Sequence, residues 1–172
     1  MDSIQAISVF DGRYRRYTKE LNEIFSEYGL IKHRVFVEIQ WLKFLFEELG
    51  FETVSKEEIQ RIDTIFSDFC LDSAKQIKTV EKETNHDVKA VEYYIKDKLT
   101  EMGMAHLKEW VHFACTSDDI NNTSYALMVK EGRAKLVDNL TLVIEKIESY
   151  AKEYKGVPMM SRTHGQPATP TT

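Results

Sequence analysis

The sequence predicts an all-α fold: a small helical amino-terminal domain over residues 1–116, then the first long helix and following loop of a helical bundle over 117–172. Three observations predict it. Apolar residues recur at helical intervals along almost the whole chain. No alternating Val/Ile/Thr run bounded by turn residues appears, so no credible sheet is expected. Finally, Leu136, Leu140, Val143, Ile147, Tyr150 and Tyr154 step by 4, 3, 4, 3 and 4 residues, a repeat near 3.5 that marks a seam for partner helices.

The elements follow in order. Asp11-Gly12 is a turn that ends a short irregular arm. Leu21, Ile24, Phe25 and Tyr28 share a helix face, with Gly29 after them as a stop. From about Ile31 to Leu49 the pattern is apolar on more than one face (Val35, Phe36, Ile39, Trp41, Leu42, Leu45, Phe46), which places that helix deep in a core, with Gly50 ending it. Ser55-Lys56-Glu57-Glu58 has capping-box spacing, and Ile59, Ile62, Phe66 and Phe69 form the stripe that follows. Shorter helices are expected at about Ser73–Lys82, Asn85–Glu101 and Ala105–Ala114. Ser117–Tyr154 reads as one helix, which at 1.5 Å per residue spans roughly 57 Å. The residues before it cannot cover a rod of that length. Its stripe therefore calls for helices from other subunits or from further sequence, and self-association is expected. The chain stops at Thr172, just past a polar loop, and reads as truncated.

Composition narrows the function classes. At 42% hydrophobic and 30% charged residues, with seven Gly and three Pro in 172, the chain is neither disordered nor low-complexity. A net charge of −5 argues against nucleic acid or a membrane surface held by bulk positive charge. No apolar run approaches the roughly 18 residues of a membrane span. Met1-Asp2-Ser3-Ile4-Gln5 has no signal-peptide pattern. Cys70 and Cys115 are too few for a disulfide framework or a complete zinc site, so two reduced thiols in a cytoplasmic protein are expected and no metal.

Four polar segments interrupt the helical pattern. Asp11-Gly12-Arg13-Tyr14-Arg15-Arg16 presents donors that suit phosphate or carboxylate, and equally reads as a solvated basic turn. In Lys82–Val88, Thr84 and Asp87 have capping-box spacing; Asn85 and His86 then lie at a helix start, where anions are welcome. Capping alone would also explain them, and adjacent His86-Asp87 is no metal motif. In His112–Asp119, Thr116 and Asp119 open the long helix, where Thr116, Ser117 and free N–H groups can hold a carboxylate. His112 fits there, or as a buried core histidine, while Cys115 reads as a packed side chain. In Ser161–Ala168, Gly165 and Pro167 can fix His164 in one orientation, and an imidazole titrating near neutrality is the usual proton-transfer group.

Together these segments resemble the adenylosuccinate lyases of the fumarase/aspartase superfamily. Ser8-Val9-Phe10-Asp11-Gly12-Arg13-Tyr14 is similar to the family's S-P-x-D-G-R-Y, with Val9 in place of Pro. Thr84-Asn85-His86-Asp87-Val88-Lys89-Ala90-Val91-Glu92-Tyr93 matches T-N-H-D-V-K-A-V-E-Y without a gap. His112-Phe113-Ala114-Cys115-Thr116-Ser117-Asp118-Asp119-Ile120-Asn121-Asn122 and Ser161-Arg162-Thr163-His164-Gly165-Gln166-Pro167-Ala168-Thr169-Pro170 match as well. The last two are superfamily-level patterns; the first two point to the purine enzyme, in its bacterial-type branch.

The resemblance implies a cofactor-free β-elimination that releases fumarate from adenylosuccinate, giving AMP, and from the succinyl-carboxamide imidazole ribotide. It implies His164 as general acid, Arg13 and Tyr14 on the nucleotide phosphate, and Asn85, His86 and Asp87 lining the pocket. Thr116 and Ser117 would grip a succinyl carboxylate, with His112, Thr163 and Gln166 in support. The family is homotetrameric, with each active site built from three subunits. Its serine base sits on a G-S-S-x-M-P-x-K-x-N-P loop that this sequence does not contain, so the isolated chain is expected to be inactive. Two other readings compete. An argininosuccinate lyase or fumarase relative would leave Arg13-Tyr14 without a phosphate to bind. A non-catalytic helical interaction module would leave His164 and Thr116-Ser117 without a purpose.

Overall fold

The computed structural model describes residues 3–172, and nearly all its regular structure is helical. Short helices α1 (Arg15–Thr18) and α2 (Asn22–Phe25) lead into α3 (Glu27–Glu47), followed by α4 (Lys56–Ser67), α5 (Leu71–Thr84), α6 (Asp87–Glu101) and α7 (Ser117–Tyr154). A 3-10 helix at Ala105–Trp110 joins α6 to the segment before α7. The chain divides into two compact units, one ending at Gly132 and the other Arg133–Thr172.

In the first unit α3 is the central helix, and α2, α4, α5 and α6 pack on it. Its multi-faced apolar pattern is the reason. Ile31, Val35, Ile39, Leu42 and Leu45 are buried with Ile62 and Ile65 of α4, Ile77 of α5, and Val91, Ile95 and Leu99 of α6. The ends of the elements follow local chemistry. Ser55 and Glu58 form the expected reciprocal capping box at the start of α4. After α3 the chain turns at Gly50, whose φ of +64° suits a residue without a side chain, and the Phe51 N–H donates to the Leu45 carbonyl at 3.0 Å.

Three local expectations are corrected. The break before α3 falls at Ser26 rather than Gly29: the Ser26 hydroxyl accepts the Gly29 N–H at 3.1 Å and caps the helix. Gly29 serves close approach instead, since a Cβ there would lie 2.4 Å from the Ile24 carbonyl oxygen. The helix expected to run to Ala114 stops as a 3-10 turn at Trp110, because His112 and Ala114 adopt left-handed conformations (φ 62° and 58°) that no right-handed helix accommodates.

The third correction concerns strands. Met159–Thr163 (β1) and Gln166–Thr171 (β2) form an antiparallel hairpin where a loop was expected. Its two-residue turn, His164-Gly165, has positive φ at both positions (49° and 79°), the geometry that matches the twist of paired strands. The pairing is irregular between Met160 and Arg162. There the Ser161 hydroxyl donates to the Thr169 carbonyl at 2.7 Å and accepts the Thr169 N–H at 3.0 Å. Two prolines and no alternation of apolar residues hide this ribbon from pattern reading.

The long helix covers the expected span, Ser117–Tyr154. In the first unit it buries Ile120, Ser124, Met128 and Gly132, one residue every four. From Arg133 to Met160 every residue is exposed, and the stripe Leu136, Leu140, Val143, Ile147, Tyr150 and Tyr154 is 46–61% accessible. Among the described residues, no helix is long and apolar enough to cross a membrane.

Candidate active site

The first site element is the junction of α5 and α6. Thr84 and Asp87 do not make the box their spacing allows. Asn85 turns left-handed (φ 49°) to end α5, and His86 becomes the cap of α6, its Nδ1 accepting the Lys89 N–H at 3.2 Å. The neutral ring then carries its proton on Nε2, which faces the Ser117 hydroxyl oxygen at 3.5 Å. Two helix N-termini, those of α6 and α7, thus meet at a His–Ser pair. Both termini bring outward-pointing N–H groups and positive dipole ends, an arrangement suited to a carboxylate or phosphate.

A buried arginine secures this junction. Arg34 of α3 donates from Nη2 to Asp87 Oδ2 at 2.5 Å and from Nε to Asn121 Oδ1 at 2.8 Å. One guanidinium therefore ties the starts of α6 and α7 to the central helix. Burial opposes charge on Asp87, but the Val88 N–H and the Arg34 guanidinium prevail and hold its carboxyl below the usual range. At α7, Asp119 reaches back to the Thr116 N–H at 2.7 Å, which lowers the Asp119 pKa, and accepts the Thr116 hydroxyl at 2.9 Å. The carboxylate half of the expected box is therefore in place, and it engages the Thr116 hydroxyl.

The segment between Trp110 and α7 is fixed from the core side. The Trp41 indole N–H donates to the Phe113 carbonyl at 2.8 Å. His112 Nδ1 lies 2.6 Å from Glu38 Oε1, and Glu38 is buried on α3 one turn after Arg34. The hydrogen bond to Glu38 raises the His112 pKa above the ordinary imidazole value against the opposing effect of burial. Burial pushes the Cys115 thiol up to about 11, which makes it inert as a nucleophile. Beside this segment, a cavity of about 600 Å³ between α3 and α7 is lined mainly by apolar groups, among them Phe36, Trp41, Phe44, Cys115 and Leu127.

The amino-terminal arm is shaped by its own backbone. Its turn is built by backbone bonds from the Gly12 N–H to the Ser8 carbonyl (3.0 Å) and from the Tyr14 N–H to the Val9 carbonyl (2.9 Å), so the arm is shaped with Val9 in the motif. The exposed Arg13 guanidinium sits 5.5 Å from the centre of the Tyr14 ring. Thr163, His164 and Gln166 form the tip of the hairpin in the second unit, where Thr163 pairs with Gln166 across the turn. No group of three or more His, Cys, Asp or Glu side chains able to hold a metal occurs among the described residues.

Sequence reasoning passed over Arg34 and Glu38. Their signal is present: two charges four residues apart in a helix whose neighbouring positions are apolar on several faces. A buried charge needs a partner, so such a pair marks polar groups arriving from elsewhere in the fold.

Comparison with known proteins agrees with this architecture. The crystal structure of beta-carboxy-cis,cis-muconate cycloisomerase from Acinetobacter calcoaceticus matches with a TM-score of 0.65 at 23% identity, covering 88% of this chain and 35% of that one, which establishes a shared fold. Adenylosuccinate lyases are similar along the full chain: 47% identical in Vibrio cholerae, 45% in Escherichia coli and 44% in Dictyostelium discoideum. The chain spans 39% of the length of each of these relatives. A family model described as Lyase matches residues 12–172, and the chain belongs to that lyase family.

Proposed function

We propose that this chain is the amino-terminal part of a purine-biosynthetic lyase that cleaves adenylosuccinate to AMP and fumarate, and the succinyl-carboxamide imidazole ribotide to its carboxamide and fumarate. The observation that carries the reading is the meeting of His86 Nε2 with Ser117 Oγ at two helix N-termini. A site of this kind suits a dianionic succinyl group and has no evident purpose in a plain helical scaffold.

In the reaction, a base removes a proton from the succinyl β-carbon, and the adjacent carboxylate delocalises the resulting electron pair. That pair then forms the double bond of fumarate as the C–N bond breaks, and an acid protonates the departing nitrogen. We assign the acid to His164, whose turn position leaves the imidazole exposed. Ser117 holds a succinyl carboxylate together with Thr116, whose hydroxyl turns from Asp119 to the substrate on binding, and Asn85, His86 and Asp87 line the pocket. Arg13 and Tyr14 bind the phosphate, and Thr163 and Gln166 support His164. Residues 1–116 serve as the amino-terminal domain and 117–172 open a helical bundle that assembles as a homotetramer, a reading supported by the exposed apolar stripe. Two unpaired cysteines support a reducing, cytoplasmic setting.

The 172-residue chain alone does not turn over, since it carries no serine-base segment. The test follows fumarate absorbance with adenylosuccinate, first with this chain alone and then after mixing with the carboxyl-terminal remainder of the Vibrio cholerae relative. Fumarate release only on mixing, abolished by His164→Ala, supports the proposal. Release by the chain alone refutes the inactivity, and silence from a complex that demonstrably forms refutes the assignment.

A further inference from the structure

Glu38 combines features that a purely structural carboxylate does not need. It is 1% exposed, and Oε1 is spent on His112 Nδ1 at 2.6 Å. Its Oε2 is, among the described residues, the one buried side-chain oxygen or nitrogen with no hydrogen-bond partner. An orphaned carboxylate oxygen in a core is costly and calls for an explanation. His112 in turn is held at φ 62°, a conformation a β-carbon resists. Among the described residues its Nε2 has no hydrogen-bond partner and is not a buried atom, so the ring has one nitrogen in the core and the other open.

We propose that Glu38 is a positioning residue for His112, holding the ring as a cation with Nδ1–H turned into the core and Nε2–H directed outward as a donor to an anionic group of the substrate. The charges that face His112 are consistent with this. Glu38 comes from α3, Glu92 and Lys89 from α6, and Asp119 from α7. Lys89 and Lys96 are already committed to Glu92, at 2.7 and 2.8 Å. Asp119 is committed to Thr116. Glu38 is therefore the carboxylate left to compensate His112. The substrate anion rests on the lyase reading above, whereas the dyad itself is testable on this chain without turnover.

The experiment is nitrogen-15 NMR of histidine side chains in the 172-residue chain, with His112 assigned through His112→Gln. In the unsubstituted chain the His112 midpoint is expected above the ordinary imidazole value of about 6.5. Above that midpoint the neutral ring keeps its proton on Nδ1. In Glu38→Gln the midpoint drops by about one pH unit or more, and Glu38→Asp restores part of the shift. A neutral ring protonated on Nε2 in the unsubstituted chain overturns the proposal even if Glu38→Gln fails to fold. An unchanged midpoint in a folded Glu38→Gln overturns it as well. Failure here leaves the fumarate assay untouched, and the reverse also holds.

Discussion

Arg34→Lys is the perturbation that best tests how the junction is held. Arg34 uses two different nitrogens, Nη2 on Asp87 at 2.5 Å and Nε on Asn121 at 2.8 Å. A lysine keeps the charge but has a single nitrogen, so it can satisfy one partner and must release the other. A hydrogen bond involving a charged group contributes about 1.5–3 kcal/mol. The Arg34 side chain is only 7% exposed, yet that of Asp87 is 45% exposed, which moves the expected loss toward the lower end, about 2 kcal/mol. The assay is urea unfolding followed by tryptophan fluorescence, because Trp41 and Trp110 both lie in the first unit and report on it alone. With a urea slope of about 2 kcal/mol per molar, the midpoint should fall by about 1 M. Asn121→Ala should cost less in the Arg34→Lys background than alone, since the two share one bond. A midpoint shift under about 0.25 M would refute the claim that the guanidinium ties three elements together.

Five further outcomes are expected. Gly29→Ala should destabilise the first unit by about 1–3 kcal/mol, measured by the same unfolding, because the added Cβ meets backbone at 2.4 Å and this outweighs alanine's helical advantage of about 1 kcal/mol. Gly132→Ala should cost less, since its Cβ meets the end of the half-exposed Phe25 ring, which can swing away. The raised pKa of His112 in the fold means its pair with Glu38 contributes fully below the unfolded value of about 6.5 and is lost as pH rises through the folded value. The unfolding midpoint difference between the unsubstituted chain and His112→Gln should therefore shrink from pH 6 toward pH 9; a constant difference would contradict the pairing. At pH 8 an aromatic disulfide reagent should label Cys70 quickly, since it is exposed and hydrogen bonds from Ser73 lower its pKa, and Cys115 only in denaturant. Light scattering should show concentration-dependent association that Leu140→Glu with Ile147→Glu abolishes, because both positions are half or more exposed on the stripe.

Where periodicity and burial agree, the sequence was readable. The multi-faced pattern from Ile31 to Leu49 became the buried centre of the fold, and the Ser55–Glu58 box and the span of the long helix came out as expected. Capping at Thr84 and the stop at Gly29 were misread for a common reason. Each spacing permits two local solutions, and tertiary contacts chose between them. His86 takes the cap because its ring also meets Ser117 from a distant helix. Gly29 enters α3 because the Ile24 carbonyl needs the space a side chain would fill. The hairpin was invisible because its order lies in turn geometry and a serine hydroxyl rather than in apolar alternation. Arg34 and Glu38 carried a legible warning, as paired charges in an apolar helix, but their partners lie far away in sequence: 53 and 87 residues for Arg34, 74 for Glu38.

Backbone strain links these observations. Among the described residues, the non-glycine positions with positive φ are Asn85, His112, Ala114 and His164. All four lie in segments singled out for their polar chemistry. For His112, Ala114 and His164 such a conformation costs about 1–3 kcal/mol and persists only where its surroundings fix it, whereas asparagine at 85 tolerates it. For His112 and Ala114 those surroundings are visible. Glu38 grips the imidazole at 2.6 Å, and between the two residues the Phe113 carbonyl is held by the Trp41 indole at 2.8 Å. A chain selected only to pack would place glycine or asparagine at 112 and 114 and recover that energy. Keeping a histidine at φ 62° makes sense if its side chain is needed where that backbone puts it, with one nitrogen on a buried carboxylate and the other facing out beside the start of α7.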